Sequence, residues 1–148
     1  MKDETTLRTL TLADYDRWMA IWQQAGLHSI RPQGRDSRWA FARQLASGTH
    51  TVLGLELAGE LIGVVLATHD GRKGWINRLA ILPAYRRCGY AARLVAEAER
   101  VLREQDITII AALIETGNDA SLALFQKLGY SELPGGVHYL SKRDSAEA

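Results

Sequence analysis

A chain of 148 residues, 47% hydrophobic and 24% charged, fits one domain with a core large enough to fold alone. Its net charge of +1 excludes a global electrostatic attraction to nucleic acid or an acidic membrane, and the single cysteine, Cys88, excludes an internal disulfide and a multi-cysteine metal site. No apolar run approaches membrane-spanning length and Met1-Lys2-Asp3-Glu4 has no signal-peptide apolar core, so a cytoplasmic protein that needs no membrane is expected.

Residues 7–12 alternate apolar and polar and predict a strand. From Asp14, the helical spacing of Tyr15, Trp18, Met19, Ile21 and Trp22 predicts a helix that ends near Gly26. After an irregular segment, 27–35, Asp36 is placed to cap a second helix through Ser47, stopped by Gly48. Residues 51–57, 61–68 and 75–82 read as three consecutive antiparallel strands joined at Ala58-Gly59-Glu60 and Asp70-Gly71-Arg72-Lys73-Gly74. A third helix over 90–105 carries one stripe of Ala91, Leu94, Val95, Ala98, Val101 and Leu102.

The isoleucine-rich run 107–114 predicts a central strand buried on both faces. Asn118 or Asp119 then opens a fourth helix, closed by Gly129. Short strands over 130–133 and 137–141 flank Pro134-Gly135-Gly136, and the polar tail 144–148 is expected to fray, leaving a domain over 5–143. The four tryptophans read as core, and the four histidines show no metal-ligand spacing, so no metal is expected.

One stretch carries chemistry. Ile81-Leu82-Pro83-Ala84-Tyr85-Arg86-Arg87-Cys88-Gly89-Tyr90-Ala91 joins an apolar strand to an amphipathic helix through a basic, glycine-bearing turn. A helix start offers unpaired N–H groups and the positive end of the helix dipole. Gly89 and Ala91 let a diphosphate approach the backbone, and Arg86 and Arg87 add fork-shaped cationic donors. No Gly-Lys-Ser/Thr follows the glycine, which excludes a nucleotide P-loop.

The element order, with this turn after the fourth strand, resembles the GCN5-related N-acetyltransferase (GNAT) superfamily. Two motifs carry the resemblance: Arg86-x-x-Gly89-x-Ala91, and Asn118-x-x-Ser121-x-x-x-Phe125-x-x-x-Gly129-Tyr130. It implies a single α/β (α+β) domain with a mixed, mostly antiparallel sheet of six to seven strands, helices on both faces, and parallel strands 4 and 5 splayed apart. It also implies acetyl-CoA as donor and an amine of a small molecule or peptide as acceptor. Carried over by position, the N–H groups of Arg87, Cys88, Gly89, Tyr90, Ala91 and Ala92 would wrap the pyrophosphate, with Arg86 shaping the turn. The backbone of Leu79, Ala80 and Ile81 would pair with the pantetheine arm, and an N–H between Ala80 and Leu82 would face the thioester oxyanion. Asn118, with Ser121 and Phe125 behind it on the same helix, would contact the arm near the thioester.

Two departures bear on catalysis. The position that often carries a tyrosine acid in the family holds Phe125, which has no proton to donate, and residues 75–82 contain no acidic base. Glu115, near the end of the fifth strand, is the nearest candidate base, with Tyr85, Tyr130 and Tyr139 as further hydroxyls. Cys88 lies in the turn that phosphate needs and is not read as a nucleophile.

Arg31 and Arg35 stand in the connection that often walls the acceptor pocket, either as anion ligands or as solvated charges. C-terminal edge strands offer a homodimer surface. The competing reading is an acyl-CoA-binding sensor or regulatory module with little catalysis.

Overall fold

Alternating apolar positions build a single mixed sheet in the computed structural model, which describes residues 4–148. Met1, Lys2 and Asp3, used above in reading the N-terminus, lie outside the described residues. The strands are β1 (Thr5–Thr9), β2 (His50–Leu57), β3 (Glu60–His69), β4 (Gly74–Ile81) and β5 (Ile110–Ala111), in spatial order 1-2-3-4-5. All neighbours are antiparallel except β4 and β5, which are parallel. Helices α1 (Tyr15–Gln24) and α2 (Arg38–Ala46) cover one face, and α3 (Tyr90–Glu104) and α4 (Asp119–Lys127) the other.

β2 and β3 read as nearly unbroken apolar runs because both their faces are covered. Leu53, Leu55, Val65 and Ala67 meet Leu94, Val95, Ala98 and Leu102 of α3. Val52, Val64 and Leu66 face the opposite layer, where Trp18, Trp22 and Phe41 are fully buried. Those three rings, with Tyr15, pack edge-on and tilted at centroid separations of 5.3 to 6.4 Å. Two tryptophans depart from the core expectation. Trp39 is exposed under the Arg43 guanidinium and Trp75 is half-buried beside Lys73.

Strand β4 holds one extra residue. Val64 pairs with Ala80 and Leu66 with Asn77, so Arg78 and Leu79 together oppose Val65. Arg78 takes the left-handed conformation, φ +54, in which an L side chain is strained by roughly 1–2 kcal/mol. The bulge resets the alternation: Leu79 and Ile81 join the α3 layer while Ala80 joins the α1 layer.

The Arg78 guanidinium pairs with Asp36 inside the protein and donates to the Ser29 carbonyl at 3.0 Å. Its backbone carbonyl accepts from Trp22 Nε1 at 2.8 Å, and its cationic head lies 5.4 Å from the Trp22 ring centre. Asp36 also accepts from the Arg31 N–H at 2.7 Å. This engagement explains why Asp36 does not cap α2. Ser37 does so, its hydroxyl accepting from the Ala40 N–H at 3.0 Å, and the helix starts at Arg38.

The C-terminal third departs furthest from expectation. Of the 107–114 run, Ile107 reaches the core, but only Ile110–Ala111 forms a ladder, and Ile109 and Leu113 are exposed. β5 is therefore an edge strand rather than a central one. The segments 130–133 and 137–141 form no strands. Leu133 and Gly136 close a turn, with positive φ at Gly135 and Gly136, and no ladder extends from it, so among the described residues the sheet has five strands rather than six or seven. The tail 145–148 makes a turn whose Glu147 carbonyl presses on Gly34, where a Cβ would lie only 1.9 Å away.

Two outcomes follow from this packing. Replacing Asp36 by alanine strands the Arg78 charge in the interior, and denaturant unfolding should show a loss of about 3–5 kcal/mol. At the start of α1, Asp14 is buried and receives Arg8 at 2.7 and 3.0 Å, Arg17 at 2.6 Å and the Thr11 N–H at 3.0 Å. Arg8 first, then the Thr11 N–H and Arg17, hold this carboxyl well below the ordinary range, against the burial that opposes them. A depressed native pKa stabilises fully above the unfolded value of about 4, and the contribution is lost as pH falls through the native value. Denaturation midpoints measured against pH should drop below about pH 4, with a flatter slope in Asp14→Asn.

Candidate functional site

β4 and β5 run side by side for two residue pairs, Gly74 with Ile110 and Trp75 with Ala111, and then part. Beyond Trp75 the β5-facing edge of β4 has no strand partner among the described residues. On the other edge, the Leu82 N–H donates to the Ile62 carbonyl at 2.9 Å. Strand alternation then turns the backbone groups of Ile81 and Leu79 toward the open side and those of Ala80 toward β3. This corrects two expectations: Ala80 contributes its backbone to the sheet rather than the groove, and the Leu82 N–H is already spent. A polar, extended edge is left for a strand-like ligand.

Past this edge, Pro83–Tyr85 forms a 3-10 turn, and the Arg86 guanidinium folds back so that Nε donates to the Ile81 carbonyl at 3.3 Å. Arg87 and Gly89 both take positive φ, +62 and +82, which swings the chain into α3. The first helical bond is from the Arg93 N–H to the Gly89 carbonyl. The N–H groups of Arg87, Cys88, Gly89, Ala91 and Ala92 find no backbone acceptor among the described residues. A Cβ on Gly89 would meet nothing within 4 Å, so the space over the turn is open. Free N–H groups, a helix N-terminus and an open approach together suit a diphosphate. Cys88 is exposed, its Sγ against the Arg86 carbonyl at 3.4 Å.

On the far bank, Gly117 at φ +96 leads into Asn118, which caps α4 by accepting from the Ser121 N–H at 3.2 Å. Capping uses Oδ1 and leaves the Nδ2 donors without a partner among the described residues. Phe125 turns inward, buried edge-on to Tyr130 at 5.0 Å, so its ring serves the core. Tyr130 donates to Glu99 Oε2 at 2.6 Å, and burial, then that carboxylate, push its phenol well above the ordinary value. Tyr139 is exposed, while Tyr85 is half-buried against the α3 layer. Glu115 is exposed in the turn between β5 and α4, its carboxylate without a partner among the described residues.

Arg31 and Arg35 lie in the segment between α1 and α2, both bound to the backbone of their own loop. Arg31 Nη1 donates to the His28 and Ile30 carbonyls at 3.0 Å, and Arg35 Nη2 donates to Ser29 at 2.9 Å. Sequence reasoning missed Arg78, the one charged residue in β4, a signal that its position among mostly apolar neighbours offered. Two surface hollows lie elsewhere, one against Leu10, Leu12, Leu45 and His50, the other against Ile21, Gly59, Leu61 and Leu82. The chemistry of the open β4 edge, rather than hollow size, marks the site.

A parallel strand pair that parts above a basic, glycine-bearing helix start is the arrangement of a known family of folds. The model of the acetyltransferase (GNAT) family matches residues 13–130, and the chain belongs to that family. It is 28% identical over 137 residues to an acetyltransferase of Sodalis glossinidius, covering 93% of this chain and 94% of that one. The fold is similar to that of AAC(6')-Iy in complex with the bisubstrate analog CoA-S-monomethyl-acetylneamine. That match has a TM-score of 0.77 and 17% identity and covers 94% of this chain and 99% of that one. It is similar, too, to a predicted acetyltransferase with acetyl-CoA from Clostridium acetobutylicum, with a TM-score of 0.77 and 16% identity, covering 92% and 96% of the two chains.

Gly89→Ala tests the turn. The added methyl meets no protein atom, so the stability cost should be limited to the left-handed strain, about 1–2 kcal/mol. Calorimetric titration should show CoA affinity falling at least about tenfold, 1.4 kcal/mol, because the methyl occupies the phosphate approach.

Proposed function

We propose that this protein transfers an acetyl group from acetyl-CoA to a primary amine of a small molecule or peptide by direct attack within a ternary complex. The observation that carries the reading is the open β4 edge running into the N–H groups of Arg87, Cys88, Gly89, Ala91 and Ala92, which find no backbone acceptor among the described residues. Acetyl-CoA supplies an activated thioester. The N–H groups of Arg87, Cys88, Gly89, Ala91 and Ala92, with that of Tyr90 in the same turn, would hold its diphosphate, while Arg86 fixes the turn to the end of β4. Leu79 and Ile81 would pair with the pantetheine through backbone groups, as an added strand.

The Ile81 N–H is the donor best placed for the thioester carbonyl as it gains negative charge, since that of Leu82 is committed to Ile62. Asn118 Nδ2 and the adjacent start of α4, including Ser121, would steady the arm from the opposite bank. In the transfer, the amine nitrogen bonds to the acyl carbon, the carbon–sulfur bond breaks, and sulfur leaves with the electron pair as thiolate. The proton released by the new ammonium passes to Glu115, directly or through water, and then to solvent. The role of Phe125 is to close the wall behind the arm by filling the core beneath α4.

A second reading, acyl-CoA binding with little catalysis, draws on the same site, because Phe125 is buried and Tyr130 is engaged with Glu99. Thiol release from acetyl-CoA across a panel of amines separates the two: turnover is expected, and tight binding without turnover on any amine or peptide would overturn the transferase reading. Glu115→Gln should lower kcat/KM by about 10²-fold and change the shape of the pH–rate profile. An unchanged profile would remove Glu115 from the mechanism.

A further inference from the structure

The loop between α1 and α2 meets the β4 bulge in a cluster whose charge does not balance. Ser29 offers one carbonyl oxygen to two guanidiniums, Arg35 Nη2 at 2.9 Å and Arg78 Nη2 at 3.0 Å, which places those nitrogens within about 6 Å of each other. One carboxylate answers them. Asp36 pairs with Arg78 through Oδ1 and stands 4.0 Å from Arg35 Nε through Oδ2. That same Oδ2 also accepts from the Arg31 N–H.

Arg31 adds further positive charge near Arg35, as does Arg143, whose Nη1 donates to the Ala148 oxygen at 2.7 Å. Burial, then the like charge of Arg78, lowers the Arg35 pKa, and Arg143 and Arg31 act in the same direction against Asp36 alone. Arg78 is sequestered, whereas the Arg35 side chain is 42% exposed and its Nη1 has no hydrogen-bond partner among the described residues. The cluster therefore has a cationic excess with an open, fork-shaped donor.

Its place in the fold gives it a use. Arg78 lies three residues before Ile81 on the same strand, on the order of 10 Å away at the usual strand rise. Given the transferase reading above, we propose that the acceptor is a small amine that also carries an anionic group, a carboxylate or phosphate, which Arg35 receives over the Arg78–Asp36 pair. The anion would be held at the bulge while the amine reaches the thioester at Ile81. The excess charge disfavours polycations, which it repels.

The test uses the full chain saturated with CoA. Calorimetric titrations with L-glutamate, O-phosphoethanolamine, the diamide of glutamate and spermidine read acceptor binding without turnover, and parallel assays with acetyl-CoA read transfer. Both anionic amines, or one of them, should bind at least tenfold more tightly than the diamide, and which one identifies carboxylate or phosphate. The preference should shrink as sodium chloride rises from about 0.1 to 0.5 M. Arg35→Gln should cut the anionic-to-diamide ratio by at least tenfold, whereas Arg43→Gln, on the exposed stack with Trp39, should leave it intact.

Tighter binding of spermidine than of either anionic amine, or a ratio unmoved by Arg35→Gln, would overturn the inference. Anion preference in the titrations with no transfer to any amine would instead overturn the transferase reading and leave the anion site standing.

Discussion

The buried pair of Arg78 and Asp36 is the constraint around which both halves of the site are arranged. Two charges removed from water cost several kcal/mol each, a penalty offset only where geometry is good and the remaining donors and acceptors are satisfied. Here they are: Asp36 also takes the Arg31 N–H, Arg78 also gives to Ser29, and the Arg78 carbonyl takes the Trp22 indole N–H. The same contacts keep a non-glycine residue in the left-handed conformation inside a strand. A bulge is a local fault that could settle elsewhere along β4; this pair specifies its position. Because the bulge resets the alternation, it also decides that Leu79 and Ile81, rather than Ala80, present backbone groups to the open edge.

A division of labour follows. In the proposed reading, the donor side is built almost entirely from backbone: a strand edge without a strand partner among the described residues, a helix start and a turn with two positive φ angles. Such a site places few demands on side-chain identity. In the proposed reading, the acceptor side is built from side chains on the loop between α1 and α2, where guanidiniums and one carboxylate set the local field. Fold alone says little about that side. The Arg78–Asp36 pair joins the two, since its bulge shapes the first while its partner belongs to the second.

This division also governs what the sequence made legible. β2, β3 and β4 were readable because double burial imposes apolar runs with glycine turns between them. Asn118 and Gly89 were readable because a helix boundary narrows residue choice, and Ser121 and Gly129 stood at the matching offsets. The 107–114 run misled because isoleucine content signals burial without saying which faces are covered. Only Ile107 goes fully inside, and nothing among the described residues pairs with the outer edge of β5. Asp36 misled for a related reason: an aspartate just before a helix can cap it, yet Ser37 beside it can do the same, and a partner 42 residues away settled the choice. No local pattern announces a contact of that range.

The proton inventory around the groove narrows the catalytic question. A phenol that donates to a carboxylate and whose ionisation is disfavoured by burial, as Tyr130 is beside Glu99, is engaged rather than poised, and Phe125 has no proton to give. Under the proposed transfer, sulfur then departs as a thiolate, which a thiol of ordinary pKa near 8.5 tolerates at neutral pH. The demanding events lie elsewhere: removing a proton from the amine, and holding the carbonyl oxygen as it gains charge. The first belongs to the acceptor side, where an exposed carboxylate such as Glu115 or water suffices. The second belongs to the N–H at Ile81, whose direction is set by the bulge at Arg78. A buried ion pair that touches neither substrate would thereby govern the step that requires most order.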